Sequence, residues 1–285
     1  MYRTMAWLHD ILRLEPDGED QYYSRARSVS KQLFGGQVAA MSLKAANESV
    51  DLPMMAHSMH CYFLRLGDTG KKLNFSVERI RDGRSFATRR VVASQDDKAI
   101  FSAMISYQKP EKGVSHQHPM PEVPAPESLM SDDEYFTELD RQHPGRFGST
   151  KYFPVEVRPV HRRDALDPQP SSDICSTWIK LIEPIGDDPR EHQVMLTYMS
   201  DMTLLGAALR PHPYNSYTPG SMIASLDHAI WFQGDCRADE WVLYHQDSPV
   251  SGNARGFSRG SFYTQDGRLV GSTVQESLQR LPLDS

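Results

Sequence analysis

The first 110 residues show apolar positions at helical spacing, followed by segments in which apolar and polar residues alternate. A short helix is predicted over residues 5–14, and a longer one from the glycine pair Gly35-Gly36 to Ala46. Alternation then predicts four antiparallel strands joined by turns, at residues 57–64, 72–80, 85–94 and 99–108. This part of the chain is therefore predicted to be helix followed by an antiparallel meander.

The second half repeats that order after a proline-rich and then acidic stretch. Residues 110–126 predict an extended linker, and residues 128–141 an acidic helix. A strand precedes a helix that begins at Asp188-Pro189 and is expected to run to about Leu209. The strands of this half are predicted at residues 178–182, 223–232, 240–246, 256–264 and 268–278. We divide the chain into three segments, which are residues 1–112, a linker at 113–150, and residues 151–285 with the candidate chemistry.

Short sequence matches support an internal duplication. The stretch from His60 to Gly67-Asp68 parallels that from His228 to Gly234-Asp235, and residues 95–100 resemble residues 265–270. Hairpin turns resemble one another by chance, yet the shared order of elements favours duplication. The predicted fold class is α+β, a double hotdog in which two fused antiparallel sheets each wrap one helix.

An acidic residue falls on an otherwise apolar stripe of the second long helix. Val194, Tyr198, Leu205 and Ala208 recur at helical spacing, and Asp201 lies on the same stripe. A carboxylate on a buried face costs on the order of several kcal/mol unless it is paired or hydrogen-bonded. The pattern leaves two interpretations open, a functional carboxylate or a partly open face on which Asp201 is merely solvated.

Two further polar residues stand where the repeat predicts core or strand. Aligning the halves puts Gln275 at the position of Ile105, which lies on an apolar strand face in the first copy. Ser225 stands at the start of the central strand, where serine by itself is unremarkable. A glutamine bonded to backbone would explain one exception, but two in one half, Asp201 and Gln275, favour a polar pocket.

Composition and charge narrow the function classes. The chain is 39% hydrophobic and 24% charged with a formal net charge of −6, which argues against nucleic-acid binding. Cys61, Cys175 and Cys236 are widely spaced and predict neither a disulfide framework nor a metal site. We expect a cytoplasmic protein without a membrane partner, because no signal-peptide core, membrane-length apolar run or Ser-Lys-Leu terminus is present.

Ordered motifs cover nearly the whole chain and are weakest over about residues 113–150. They comprise Phe34 to Gln37, His60 to Asp68, Arg81 to Phe86, Ala224 to His228, Ala254 to Phe257 and Phe262 to Glu276. Together they resemble acyl-CoA thioesterase II, the TesB-type family. The resemblance implies a double hotdog hydrolase of fatty acyl-CoA thioesters with a triad of Asp, Thr or Ser, and Gln. That triad carries over to Asp201, Ser225 and Gln275, with serine at a position where many members have threonine.

The expected chemistry is hydrolysis by an activated water, without a cofactor. Asp201 would accept the proton of the water as general base, and Gln275 suits orienting it because an amide both donates and accepts. The Gly35-Gly36 helix start is a candidate oxyanion donor, since N–H groups at a helix N-terminus favour anions. Close packing of the helix on the sheet is the other explanation of these glycines. Met202 and Leu205 are candidate lining residues of an acyl tunnel.

The sequence also suggests a substrate and a subunit partner, and it leaves other functions open. An acyl-CoA substrate would meet Arg or Lys through its phosphates, and exposed strand edges predict a homo-oligomer. A non-catalytic acyl-CoA or lipid-binding hotdog and an enoyl-CoA hydratase, which would need an Asp/His pair, are alternatives. Residues 256–260 match the GxSxG elbow, but the strand predicted there argues against a nucleophilic Ser258. His228 is interpreted as a structural strand residue rather than a base.

Overall fold

Two long helices lie against one continuous antiparallel sheet in the computed structural model, which describes residues 4–25, 32–147 and 154–283. The predicted boundary between residues 150 and 151 and the last two residues of the C-terminal tripeptide lie outside the described residues. No described helix combines the length and the apolar character that a membrane span requires.

The first half contains the predicted helices and meander. Its elements are α1 (Met5–Ile11), β1 (Glu15–Pro16), β2 (Gln21–Arg25), α2 (Gly35–Asn47), β3 (Met55–Phe63), β4 (Lys72–Asp82), β5 (Phe86–Gln95) and β6 (Lys98–Gln108). The strands pair in the order β1-β2-β4-β5-β6-β3. The short strands β1 and β2 were not predicted.

A connecting segment leads to a second half of the same design. The segment is extended up to a 3₁₀ turn at Pro126–Ser128, and helix α3 (Asp132–Gln142) begins with a capping box between Ser131 and Glu134. The elements that follow are β7 (Val155–Pro159), β8 (Cys175–Leu181), α4 (Pro189–Ser200), α5 (Leu204–Ala207), β9 (Met222–Ser225), β10 (Asp227–Phe232), β11 (Val242–Gly252), β12 (Arg255–Thr264) and β13 (Leu269–Arg280). The strand order is β10-β13-β12-β11-β8-β7, with β9 beside β13.

The two halves join through both layers. In the sheet, β3 pairs antiparallel with β10, and Ala229 lies opposite His60. In the helix layer, Arg190 at the start of α4 donates to the carbonyl oxygens of Asn47 (3.0 Å), Val50 (2.8 Å) and Met54 (2.9 Å). The start of α4 thus meets the end of α2, so the two helices run antiparallel. This arrangement confirms the predicted α+β double hotdog.

The buried face of the sheet differs in polarity between the halves. In β6 the inward positions, including Ile105 and Tyr107, are apolar or aromatic and fully buried. In β13 the inward positions Thr273, Gln275 and Ser277 are equally buried. Gln275 is thus as buried as Ile105, the residue that the alignment of the halves sets beside it.

The prediction of one helix running to Leu209 is wrong. Helix α4 ends at Ser200, and Asp201 is its C-cap, before α5 begins at Leu204. Asp201 and Thr203 have low helix propensity, and the Asp201 side chain bonds to groups outside the helix. Asp201 therefore lies at a buried helix end and not on a continuous stripe with Leu205.

The single strand predicted over residues 223–232 is interrupted at Leu226. Its N–H donates to the Glu276 carbonyl (2.9 Å), and its carbonyl accepts from the Phe63 N–H (2.9 Å). Before this residue β9 pairs with β13, and after it β10 lies between β13 and β3. The interruption is thus the point at which the chain enters the centre of the sheet.

Candidate active site

Three polar side chains predicted from separate parts of the sequence form one hydrogen-bonded group. The Ser225 hydroxyl donates to Oδ1 of Asp201 over 3.1 Å, and Nε2 of Gln275 donates to Ser225 Oγ over 2.6 Å. Asp201 and Gln275 are 5% and 1% exposed, whereas Ser225 is partly exposed. The sequence-predicted acid, alcohol and amide are therefore brought together, with the alcohol nearest to solvent.

The sheet register explains how Ser225 and Gln275 meet. Ser225, the last residue of β9, lies opposite Ser277 of β13, two residues from Gln275. Residues two apart on a strand point to the same face, so Gln275 and Ser277 both face inward. Asp201 reaches the same place from the end of α4, which packs over this part of the sheet.

The N-terminus of α2 completes the surroundings of the carboxylate. No side chain caps α2 at Phe34, and the Gly36 N–H instead bonds to the Asp201 carboxylate. A Cβ on Gly36 would lie 2.4 Å from the Tyr198 carbonyl oxygen, and one on Gly35 would lie 2.6 Å from Asp201 Oδ2. Both glycines therefore permit close approach, Gly36 to the backbone of α4 and Gly35 both to Asp201 and to Phe63 of β3, whose Cε1 atom would lie 2.8 Å from a Cβ on Gly35.

Burial shifts the pKa values of Asp201 and His228. Loss of solvent raises the pKa of Asp201 above its ordinary value, and this outweighs the hydrogen bonds and the nearby His228, which lower the pKa. Burial likewise lowers the pKa of His228, opposed by the charge of Asp201. A carboxylate with a raised pKa is a stronger base at neutral pH, so the site suits proton abstraction.

Sequence reasoning missed the contacts of His228 and Ser200. The His228 Nδ1 atom lies 2.7 Å from Gln275 Oε1, and its Nε2 atom lies 2.8 Å from Ser200 Oγ. His228 is 2% exposed and Ser200 is fully buried. A signal for His228 was present in the sequence, because strand alternation places it on the same inward face as Ile230.

The candidate tunnel residues line a cleft that the acid, alcohol and amide do not. Met202 and Leu205, both partly buried, border a cleft of about 250 Å³ near α3 and α5. A larger cleft of about 610 Å³ lies beside α4 and is bordered by His192 and Phe232. Among the described residues, the lining of neither cleft includes Asp201, Ser225 or Gln275.

Ser258 does not occupy a nucleophile elbow. It lies within the uninterrupted strand β12, directly opposite Gln275 of β13, and is fully buried. An elbow needs a sharp strand-to-helix turn that exposes the serine. The strand predicted at this position is confirmed. Within the described ranges, no cluster of three or more His, Cys, Asp or Glu residues is arranged to hold a metal ion.

Comparisons with known proteins cover both halves of the chain. Residues 146–278 match a family model described as acyl-CoA thioesterase, and residues 24–108 match the acyl-CoA thioesterase N-terminal domain. Human acyl-coenzyme A thioesterase 8 is 36% identical over 282 residues, covering 95% of this chain and 88% of the relative. Acyl-CoA thioesterase 2 of Haemophilus influenzae is 32% identical over 275 residues, covering 95% and 96%.

A solved structure extends the likeness to three dimensions. The acyl-CoA thioesterase II TesB2 of Mycobacterium marinum has a TM-score of 0.79 and 40% identity, covering 96% of this chain and 98% of that one. Sequence and fold thus agree over almost the full length of the relatives. The chain belongs to the acyl-CoA thioesterase II family and is an acyl-CoA thioesterase.

Proposed function

We propose that this thioesterase hydrolyses fatty acyl-CoA thioesters to a free fatty acid and CoA through a water activated by Asp201, Ser225 and Gln275. The observation that carries the proposal is the hydrogen-bonded chain from Gln275 through Ser225 to Asp201. A thioester is a reactive acyl donor, so an oriented water and a base suffice, and no cofactor is required.

The remaining hydrogen-bonding capacity of the three side chains matches that of one water. Gln275 has a second amide hydrogen beyond the one bonded to Ser225, and a carboxylate offers about four acceptor positions. A water that accepts from Gln275 and donates to Asp201 has one lone pair left to attack a carbonyl carbon. Ser225 fixes the positions of the other two side chains, because it donates to Asp201 and accepts from Gln275.

The reaction balances without a covalent enzyme intermediate. The water oxygen bonds to the thioester carbon while its proton passes to Asp201, which typically accelerates such steps by about 10²- to 10⁴-fold. The resulting oxyanion collapses, the carbon–sulfur bond breaks and CoA leaves as the thiolate, which takes up the proton held by Asp201 and so restores the carboxylate. Because the Gly36 N–H bonds to Asp201, the Gly35 N–H is the better oxyanion donor of the pair, and such a donor contributes about 3 kcal/mol.

The test is release of free thiol from acyl-CoA substrates of two to sixteen carbons. Decanoyl-CoA and palmitoyl-CoA should be hydrolysed, and Asp201→Asn and Gln275→Ala should each lower kcat by about 10²-fold or more. Ser258→Ala serves as the matched control in the same half. Near wild-type turnover of both variants would overturn the assignment of the residues, and turnover of acetyl-CoA alone would overturn the fatty-acyl preference.

A further inference from the structure

His228 links the proposed water-activating residues to the end of α4. It lies on β10, one residue before Ala229, which pairs with Val274 of β13, so it faces Gln275 across the two strands. Its two ring nitrogens contact Gln275 Oε1 at 2.7 Å and Ser200 Oγ at 2.8 Å. Each nitrogen has a polar partner although the ring is almost fully buried.

With Asp201 ionised, the chemistry of the partners fixes the direction of each hydrogen bond from Asp201 to His228. The Asp201 carboxylate only accepts, so the Ser225 hydroxyl must donate to it and in turn accept from Gln275 Nε2. That orientation of the amide presents its oxygen to His228, and an amide oxygen only accepts. The Nδ1 atom of His228 must therefore carry a hydrogen.

Ser200 accounts for the other ring nitrogen. A neutral imidazole with hydrogen on Nδ1 accepts at Nε2, so the Ser200 hydroxyl donates to it. The same hydroxyl lies 2.8 Å from the Thr197 carbonyl, an alternative acceptor for its single hydrogen. Three donors thus point in one direction, from His228 through Gln275 and Ser225 to the carboxylate of Asp201.

Resting on the proposed function, we infer that His228 is a positioning residue that fixes the orientation of the Gln275 amide. With the amide reversed, its oxygen would face Ser225 and would draw the serine hydroxyl away from Asp201. The donor at His228 Nδ1 disfavours that reversal because the amide nitrogen would then face another N–H. His228 thereby keeps the Gln275 hydrogens directed to Ser225 and to the attacking water.

A pair of substitutions at His228 tests the donor. His228→Asn places an amide nitrogen near the position of Nδ1 and should retain much of kcat, whereas His228→Leu should lower kcat by about 10²-fold with little change in KM. His192 offers the matched control, because it is a buried histidine with two hydrogen bonds to Gly186 and Ala238. His192→Leu should leave kcat unchanged even if its melting temperature falls. Equal kcat in His228→Leu and wild type would overturn the inference.

A double-mutant cycle separates positioning from general support of the fold. If His228 acts through Gln275, His228→Leu should cause no further loss of kcat in a Gln275→Ala background, whereas additive losses would contradict the inference. Wild-type activity of Gln275→Ala alone would instead reject the proposed triad, so the two failures are distinguishable.

Nitrogen NMR of the wild-type enzyme reads the tautomer of the His228 ring directly. The spectrum should show a neutral ring with hydrogen on Nδ1, identified by the absence of its signals from His228→Asn. A ring protonated on Nε2 alone at neutral pH would overturn the inference.

Discussion

A methyl group on Gly35 would lie 2.6 Å from the Asp201 Oδ2 atom. Real Cβ atoms do not approach other atoms this closely, and the same methyl group would lie 2.8 Å from Cε1 of Phe63, so the glycine or these side chains must move. The backbone of Gly35 is held in the first turn of α2, whereas the carboxylate is the end of a side chain. The identity of residue 35 therefore controls the position of the proposed base.

Gly35→Ala should displace the Asp201 carboxylate and lower kcat by about 10²-fold, because small misplacements of a reacting group have effects of that size. Overpacking of this kind typically destabilises by about 1–3 kcal/mol, so the protein should still fold. The measurement is kcat together with thermal unfolding. Gly206→Ala is the matched control, since a Cβ there meets nothing within 4 Å and alanine favours helix. A fully active Gly35→Ala enzyme would show that the carboxylate position is not critical.

The activity should have an acidic limit set by Asp201. The proposed base works only as the carboxylate, and burial raises its pKa above the ordinary value of 3.8. The ratio kcat/KM should therefore rise with pH through an apparent pKa above that value and then level off. The profile is measured by thiol release from a substrate of fixed chain length, in buffers of constant ionic strength. An acidic limit at or below the ordinary carboxyl value would contradict a buried base.

Asp201→Asn should stabilise the protein at neutral pH while it abolishes most activity. A carboxyl group whose pKa is raised on folding favours the native state most below its unfolded pKa, and this contribution is lost as pH rises through the folded pKa. Asparagine does not ionise, so the variant does not lose this stability as pH rises. The melting temperature of the variant should exceed that of wild type at pH 7, and the difference should shrink in acid. A lower melting temperature at pH 7 would indicate that the ionised carboxylate stabilises the fold.

Ser225→Thr should remain active, whereas Ser225→Ala should not. Threonine keeps the hydroxyl that donates to Asp201 and accepts from Gln275. Loss of a hydrogen bond to a charged group costs about 1.5–3 kcal/mol, which corresponds to about 10- to 100-fold in kcat. Steady-state kinetics of the two variants provide the measurement. Complete loss in Ser225→Ala with a covalently acylated wild type in rapid-quench mass spectra would indicate a serine nucleophile instead.

Ser258→Ala should retain kcat and gain stability. The Ser258 hydroxyl is buried and finds no hydrogen-bond partner in the part of the chain that the structure describes. An unsatisfied buried hydroxyl costs about 1–3 kcal/mol, so its removal should raise the free energy of unfolding by about 1 kcal/mol. Denaturant unfolding and thiol release test the two parts separately. A large loss of activity would revive the elbow hypothesis or assign Ser258 a direct contact with substrate.

The long elements were predictable from sequence because their periodicity is strong. Helix α2 was predicted to end at Ala46 and ends at Asn47, and β6 was predicted to within one residue. The strands that were missed, such as β1 and β7, are short and lie at the edges of the sheet. Their pairing depends on a neighbouring strand rather than on an internal pattern, which sequence alone does not reveal.

The site was predictable only in part. Gln275 was recognised as a polar residue on an inward face because side chains alternate along a strand, and this alternation does not depend on where the strand is predicted to begin or end. Asp201 was predicted from its place on a continuous helical stripe, but α4 ends at Ser200 and that stripe does not exist. The prediction therefore depended on its being a carboxylate and on the family resemblance. The contact between His228 and Gln275 joins residues 47 apart in sequence, and its geometry follows from the pairing of β10 with β13.

Arg190 makes the two ends of the antiparallel helix pair chemically unequal. At one end the Asp201 carboxylate accepts from the Gly36 N–H of α2, and at the other the Arg190 guanidinium donates to the carbonyl of Asn47, the last residue of α2, and to that of Val50 beyond it. In the described residues, the proposed acid–alcohol–amide group lies at one of these two ends and not at the other. We expect the stoichiometry of a tight transition-state mimic to be one equivalent per polypeptide, with no cooperativity between the two repeats.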